Sequence, residues 1–186
     1  PEMRPHTIFI DGISKAFAAT GVRIGWAMGP EGIIGKMKSI LGHVGAWAPK
    51  AEQLACAEYL KDSNAVDLYL KGVKSKISAR LNNFYKGFMA LKAEGFGVDV
   101  ISPQAAIYLT VKFDIIGKTN AEGKTIETVE DITEFLLKEA GLALVPFYAF
   151  GAERTSTWYR LSVGTAQENH PEEVMQNLRT AFQKLS

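Results

Sequence analysis

The chain has 186 residues, 47% of them hydrophobic, with 21 lysines and arginines against 20 aspartates and glutamates and a single cysteine. That length and apolar content suffice for one or two packed cores, and a net charge of +1 offers no broad field for nucleic acid or a membrane surface. Cys56 standing alone excludes an internal disulfide framework and a cysteine-rich zinc site. No apolar run approaches the ~20 residues of a membrane-spanning helix, and the expected location is the cytoplasm.

In chain order, Thr7 to Ile10 and Arg23 to Met28 read as short β-rich runs, with Lys15 in the connection between them. Glu31 to Leu41 has helical spacing through Ile33, Ile34, Met37 and Leu41, and Gly42 to Pro49 reads as a loop containing His43 and Trp47. His43 is expected to be an ordinary solvent-accessible loop histidine. Ala51 to Leu60 reads as a second helix, in which Leu54, Ala55 and Ala57 around Cys56 point to a buried, inert thiol. Ser63-Asn64 then offers an N-cap for the longest helix. Its apolar positions, Val66, Leu70, Val73, Ile77, Leu81, Phe84, Phe88 and Leu91, are spaced by threes and fours. They describe one face over ~28 residues, a rod of ~42 Å that outruns a single small core. A coiled-coil partner helix is the weaker alternative, because systematic e/g charge pairing is missing.

Gly95 and Gly97 close that helix, and Val98 to Ile101 and Ala105 to Phe113 read as strands. Gly117 to Lys124 is polar and glycine-bearing, the make-up of a mobile surface loop. Thr128-x-x-Asp131 has the form of a capping box, opening a helix that Gly141 ends. A strand follows through Leu142, Leu144 and Val145 to Pro146. In Trp158 to Gly164, alternation puts Trp158, Arg160 and Ser162 on one face and Tyr159, Leu161 and Val163 on the other. An arginine on such a strand is costly unless it meets an anion, and an ion pair with a nearby glutamate is the bland solution. Pro171, with Glu172 and Glu173 behind it, opens a last helix with the face Val174, Leu178, Ala181 and Leu185.

The densest chemistry lies between Ile10 and Trp26. Lys15 follows a small-residue turn containing Gly12 and Ser14, and Arg23 stands eight positions later, just after Thr20-Gly21. A lysine packed among apolar neighbours beside a second cation loses its preference for the charged form and becomes a nucleophile. A guanidinium grips a phosphate through two parallel hydrogen bonds, Ser14 adds a hydroxyl, and Gly12, Gly21 and Gly25 would let backbone approach a ligand closely. Alone, Lys15 would read as a solvated loop lysine; the joint spacing of so many residue types argues otherwise.

The run Ser14-Lys-x-Phe-x-x-Thr-Gly-x-Arg-x-Gly-Trp26 closely resembles the lysine signature of class I/II (fold type I) pyridoxal-phosphate-dependent aminotransferases, the aspartate-aminotransferase-like branch in particular. Pro103-Gln-Ala-Ala-Ile-Tyr-Leu109 resembles the family's Pro-x-Gly-x-Phe-Tyr, with Ala105 for the usual glycine. Val145-Pro-Phe-Tyr-Ala-Phe-Gly151 resembles its Val-x-Pro-Gly-x-x-Phe-Gly turn, with Phe147 for the common glycine, and Arg160-Leu-Ser162 matches its Arg-Leu-Ser element. The resemblance implies an α/β fold made of two parts. Residues 1–74 would be the C-terminal remnant of the large cofactor-binding domain, joined through the long helix to a small C-terminal domain at 75–186. It implies that Lys15 is the catalytic residue, bound to pyridoxal 5'-phosphate as a Schiff base. Ser14 and Arg23 would hold the cofactor phosphate and Arg160 the substrate α-carboxylate. The first two strands would belong to a large, mostly parallel sheet.

The family's lysine sits well past the middle of its chains, so this sequence is expected to be a C-terminal fragment, inactive by itself. The residues that address the cofactor ring would be supplied by an N-terminal part. The implied reaction moves an amino group between an L-amino acid and a 2-oxo acid, in a homodimer that needs no metal, nucleic acid or membrane. Two other readings use the same residues: a fold type I lyase, decarboxylase or synthase, and the ligand-sensing domain of a transcription regulator. Gly42 to Lys50 contains no arginine, which argues against one known way of binding a side-chain carboxylate.

Overall fold

Residues 2–164, 166–167 and 170–186 are described by a computed structural model; Pro1, at which the sequence opens, lies outside them. The chain divides into two units, Pro1–Lys74 and Ser75–Ser186. In order, the elements are β1 (Phe9–Gly12), α1 (Ile13–Ala16), β2 (Gly25–Met28), α2 (Glu31–Val44), α3 (Lys50–Tyr59), α4 (Ser63–Ala93), β3 (Val98–Val100), β4 (Tyr108–Phe113), α5 (Val129–Ala140), β5 (Val145–Pro146), β6 (Trp158–Ser162) and α6 (His170–Phe182).

The Ser75–Ser186 unit is built on a four-stranded antiparallel sheet in the order β3-β4-β6-β5. The inward faces of β4 and β6 alternate strictly. Leu109, Val111 and Phe113 are buried on one strand, and Tyr159, Leu161 and Val163 on and just after the other. The same core takes in Leu81, Phe84, Phe88 and Leu91 of α4, Ile132, Phe135 and Leu136 of α5, and Met175, Leu178 and Phe182 of α6. Phe113 is its hub, with ring centroids 5.6 Å from Tyr159, 6.2 Å from Phe88 and 6.3 Å from Phe182. The Tyr159 hydroxyl is buried with its ring, donates to Val129 O at 2.8 Å and lies 3.2 Å from Thr133 Oγ1. That burial pushes its pKa up to about 12. Pro146 is at home in β5, an edge strand that does not need its missing N–H.

Local signals in this unit match the residues. The Thr128 hydroxyl accepts from Asp131 N at 3.1 Å, the Asp131 carboxylate accepts from Thr128 N at 3.0 Å, and Gly141 closes α5 in the left-handed region at φ 65°. A bidentate pair, Arg179 Nε and Nη2 to the two Glu94 oxygens at 2.7 Å, ties α6 to the end of α4. The segment expected to be a mobile loop is a pinned turn instead. Asn120 Oδ1 accepts from Glu122 N and Lys124 N, and Thr119 exchanges two backbone hydrogen bonds with Ser186. The buried face of α6 is Pro171, Met175, Leu178, Ala181 and Phe182, so Val174 and Leu185 border the core and do not centre it.

The Pro1–Lys74 unit is of a different kind. Its strands β1 and β2 pair with each other, antiparallel, with Gly12 opposite Gly25. Among the described residues of this unit, Ile13 and Ile24 are the buried apolar side chains, whereas Ile10 is 73% exposed and Leu68, in the first turns of α4, 75%. Helix α2 runs on to Val44 and stops at Gly45, φ 66°, so Gly42 and His43 are helical and not in a loop. The cap of α4 is Asp62, whose Oδ1 accepts from Ala65 N at 3.0 Å, in place of the expected Ser63-Asn64. Helix α4 covers the whole predicted apolar series, but its side chains become buried only from Leu81 onward.

Two expectations follow. Amides of β4, β6 and α5 should exchange with deuterium far more slowly than those of α2 and α3, neither of which buries a side chain; equal protection by mass spectrometry would contradict this account of the core. The second concerns acid. Ion pairing with Lys124 and the Thr128 hydroxyl lowers the Asp131 pKa, and Lys138 and Lys124 bring Glu134 from 4.5 to about 2. Stability carried by carboxylates lowered in this way is present above about pH 4.5 and lost as pH falls toward 2. The melting temperature should therefore drop across that window, and drop less in Lys124→Ala.

Candidate active site

The backbone between β1 and β2 sets out the first cluster. Ile13 N donates to Ile24 O at 3.3 Å, so Ser14 and Arg23 each stand one residue from the same bond. Lys15 occupies the single turn of α1, with its side chain exposed. The apolar packing expected around this lysine is therefore absent from the described residues. Arg23 has φ 61°, and Ala18 φ 51°, both left-handed and unusual for residues with a Cβ. Arg23 Nη1 donates to Thr20 O at 2.8 Å, which leaves Nε–H and Nη2 for an anion. Among the described residues neither Lys15 nor Arg23 pairs with a carboxylate.

Gly12 and Gly25 let the two strands approach closely. A Cβ on Gly12 would lie 2.9 Å from Ile24 O, and one on Gly25 3.1 Å from Asp11 O, while Gly21 faces open space. One contact was not legible in sequence. The Tyr69 hydroxyl donates to Phe17 O at 2.7 Å, and the Phe17 ring stacks on Tyr69 at 5.9 Å with Tyr59 edge-on at 5.9 Å. These aromatics anchor the turn that carries Lys15 to α3 and α4. An open groove of about 580 Å³ in the same unit is lined by Arg23, Trp26, Trp47, Gln53 and Cys56 among others; Ser14 and Lys15 are not part of its wall. Cys56 is only half-buried there, not enclosed as expected. His43 is exposed, with Nδ1 2.8 Å from Ser39 O.

Arg160 belongs to the Ser75–Ser186 unit. It faces away from the core on β6, between Thr110 of β4 and Val145 of β5 in register, and is half-buried. Its guanidinium carbon sits 4.5 Å from the Tyr108 ring centroid and 4.3 Å from that of Phe150. The ion pair with a glutamate that sequence allowed is not formed: among the described residues no carboxylate lies within 4.0 Å of it.

The profile of the family described as "Aminotransferase class I and II" matches residues 2–178. The aspartate aminotransferase of Rhizobium meliloti (strain 1021) is 30% identical over 187 residues, covering all of this chain and 43% of the relative. A probable aspartate/prephenate aminotransferase of Rhizobium leguminosarum bv. phaseoli is 34% identical over 90% of this chain and 40% of its own. Among solved structures, the aspartate aminotransferase of Rhizobium meliloti superposes with a TM-score of 0.87 at 29% identity, over all of this chain and 44% of that one. The aromatic aminotransferase of Pyrococcus horikoshii OT3 gives 0.80 at 26%, over 98% and 44%. This chain therefore spans somewhat under half the length of the relatives it matches.

The fold is that of the fold type I aminotransferases over that share of their length. The chain belongs to the class I and II aminotransferase family.

Members of the aspartate aminotransferase branch use pyridoxal phosphate. The donor set fits such a group: a hydroxyl and a guanidinium without a competing carboxylate suit a phosphate, and an exposed amine suits an aldehyde.

Proposed function

We propose that this chain forms part of a pyridoxal-phosphate-dependent aminotransferase that moves an amino group between an L-amino acid and a 2-oxo acid. Residues 1–74 would belong to its cofactor-binding domain and 75–186 to its small domain. Aspartate is the amino donor we favour, since the Rhizobium relatives are named for it. The observation that carries the reading is Arg160: a half-buried guanidinium with no carboxylate of its own among the described residues is a ready receptor for one from outside.

In this reading Ser14 Oγ and the free edge of Arg23 hold the cofactor phosphate, and Lys15 Nζ is the catalytic amine. The cofactor, when bound, supplies an electron-withdrawing ring that stabilises negative charge at the substrate α-carbon. Arg160 fixes the amino acid by its α-carboxylate. Lys15 Nζ then takes the proton from the α-carbon and holds it until it is returned. The connection Gly45–Pro49 between α2 and α3 has no arginine to hold a side-chain carboxylate, so that group would be met by residues outside this chain. The working enzyme would be a cytoplasmic homodimer, for which the exposed apolar side chains of the Pro1–Lys74 unit provide contact surface.

Two experiments on the complete enzyme test the assignment. Borohydride reduction in the presence of cofactor, followed by peptide mass spectrometry, should place the label on Lys15. Label on another lysine would sink its role, and transfer of the amino group to an added 2-oxo acid, in place of release of ammonia, separates transamination from elimination. Arg160→Ala should raise KM for the amino acid by about tenfold to a hundredfold, corresponding to ~1.5–3 kcal/mol, with cofactor affinity kept. Equal loss of both, or of neither, would count against the carboxylate role.

A further inference from the structure

Arg160 is held by more than its strand. Tyr108 lies on β4, two residues from Thr110, the cross-strand partner of Arg160. It therefore reaches the guanidinium diagonally, on the same face of the sheet. Phe150 comes from a different segment, at the end of the short 3₁₀ turn Phe147–Phe150 that Gly151 terminates at φ 92°. The two rings sit 4.5 and 4.3 Å from the same guanidinium carbon. Behind Phe150 stands Phe147, edge-on at 6.1 Å. Phe150 remains 51% exposed, so its ring adds little to the core and its position needs another explanation.

We infer that Phe150 is a positioning residue for Arg160, forming with Tyr108 an aromatic clamp that leaves only the edge of the guanidinium free for a ligand. The inference rests on the reading of Arg160 as a carboxylate receptor. A guanidinium is planar, with donors in its plane and none on its faces. With two rings packed against the cation, an incoming carboxylate is steered to the free edge, where two parallel hydrogen bonds form. The rings also favour the cation through their negative faces and restrict the long side chain before the ligand arrives. Phe147 would act one step further out, by fixing Phe150.

The test compares Phe150→Leu, Phe150→Tyr, Arg160→Ala and the double variant Phe150→Leu/Arg160→Ala in the complete enzyme, with KM, kcat and cofactor affinity measured for each. Losing one of the two cation–π contacts should raise KM for the amino acid by roughly twofold to thirtyfold, with kcat and cofactor affinity little changed. Phe150→Tyr should restore the parent value. In the Arg160→Ala background, Phe150→Leu should add nothing. A KM in Phe150→Leu equal to the parent's, while Arg160→Ala raises it, would overturn the clamp and leave the carboxylate reading standing. An effect of Phe150→Leu undiminished without Arg160 would also overturn it, since the ring would then act on the substrate directly. No effect of Arg160→Ala would remove the carboxylate reading itself. A separate readout needs no turnover: in the 186-residue chain the NMR signal of Arg160 Nε–H should carry a ring-current shift, lost in Phe150→Leu and kept in Phe150→Tyr. The same shift in all three proteins would show that Phe150 does not hold the guanidinium.

Discussion

The pairing of β4 with β6 is the constraint on which the Ser75–Ser186 unit depends. Because side chains alternate along a strand, one register decides two things at once. It sends Leu109, Val111, Phe113, Tyr159 and Leu161 into the core, and it leaves Tyr108 and Arg160 together on the opposite face. A slip by one residue would bury the guanidinium and expose Tyr159, whose hydroxyl already has its partners in Val129 and Thr133. The apolar core therefore fixes where the candidate receptor points. Its position is a by-product of packing and needs no separate support from the backbone.

The Pro1–Lys74 unit has no comparable constraint among its own residues. What order it has comes from short-range geometry: two glycines that allow the backbones of β1 and β2 to meet, the left-handed turns at Ala18 and Arg23, and the tie from Tyr69 to Phe17. The left-handed conformations cost energy at residues other than glycine and persist only where surroundings enforce them. That they cluster on either side of the connection following Lys15 fits a segment shaped by what it must present. Among the described residues of this unit only Ile13 and Ile24 are buried, and two side chains offset little of the entropy lost in ordering the segment.

Much of this was legible in the residues because the signals were local. The capping box at Thr128 and Asp131, the closing Gly141 and the two faces of β6 follow from hydrogen-bonding chemistry and period-two alternation within a few residues. The end of α2 was misplaced for a physical reason. Gly42 and Gly45 are equally good stop signals in sequence, and only Gly45 takes the left-handed turn in which Ala46 N returns to Leu41 O. Asp62 was passed over as a cap because Ser63-Asn64 beside it offers the same chemistry one register later. Burial along α4 could not be read from periodicity at all, since the spacing is equally regular where the helix is exposed and where it is packed. The Asn120 turn was mistaken for a mobile loop because its anchor, Ser186, lies at the far end of the chain.

The surroundings of Arg160 were out of reach for the same reason, yet their parts were all in view as departures or matches in short motifs. Tyr108 stood in the Pro103 segment and Phe150 in the Pro146 turn, with nothing in one dimension to bring them together. The structure also accounts for the least expected residue of that turn. Glycine would leave the rear of Phe150 uncovered, whereas Phe147 meets it edge-on, the arrangement in which the positive edge of one ring faces the negative face of another. Phe147, Phe150, Arg160 and Tyr108 form one contiguous cluster of rings and cation. That cluster suits arginine and not lysine, because a flat cation can lie against aromatic rings and still offer two parallel donors at its edge.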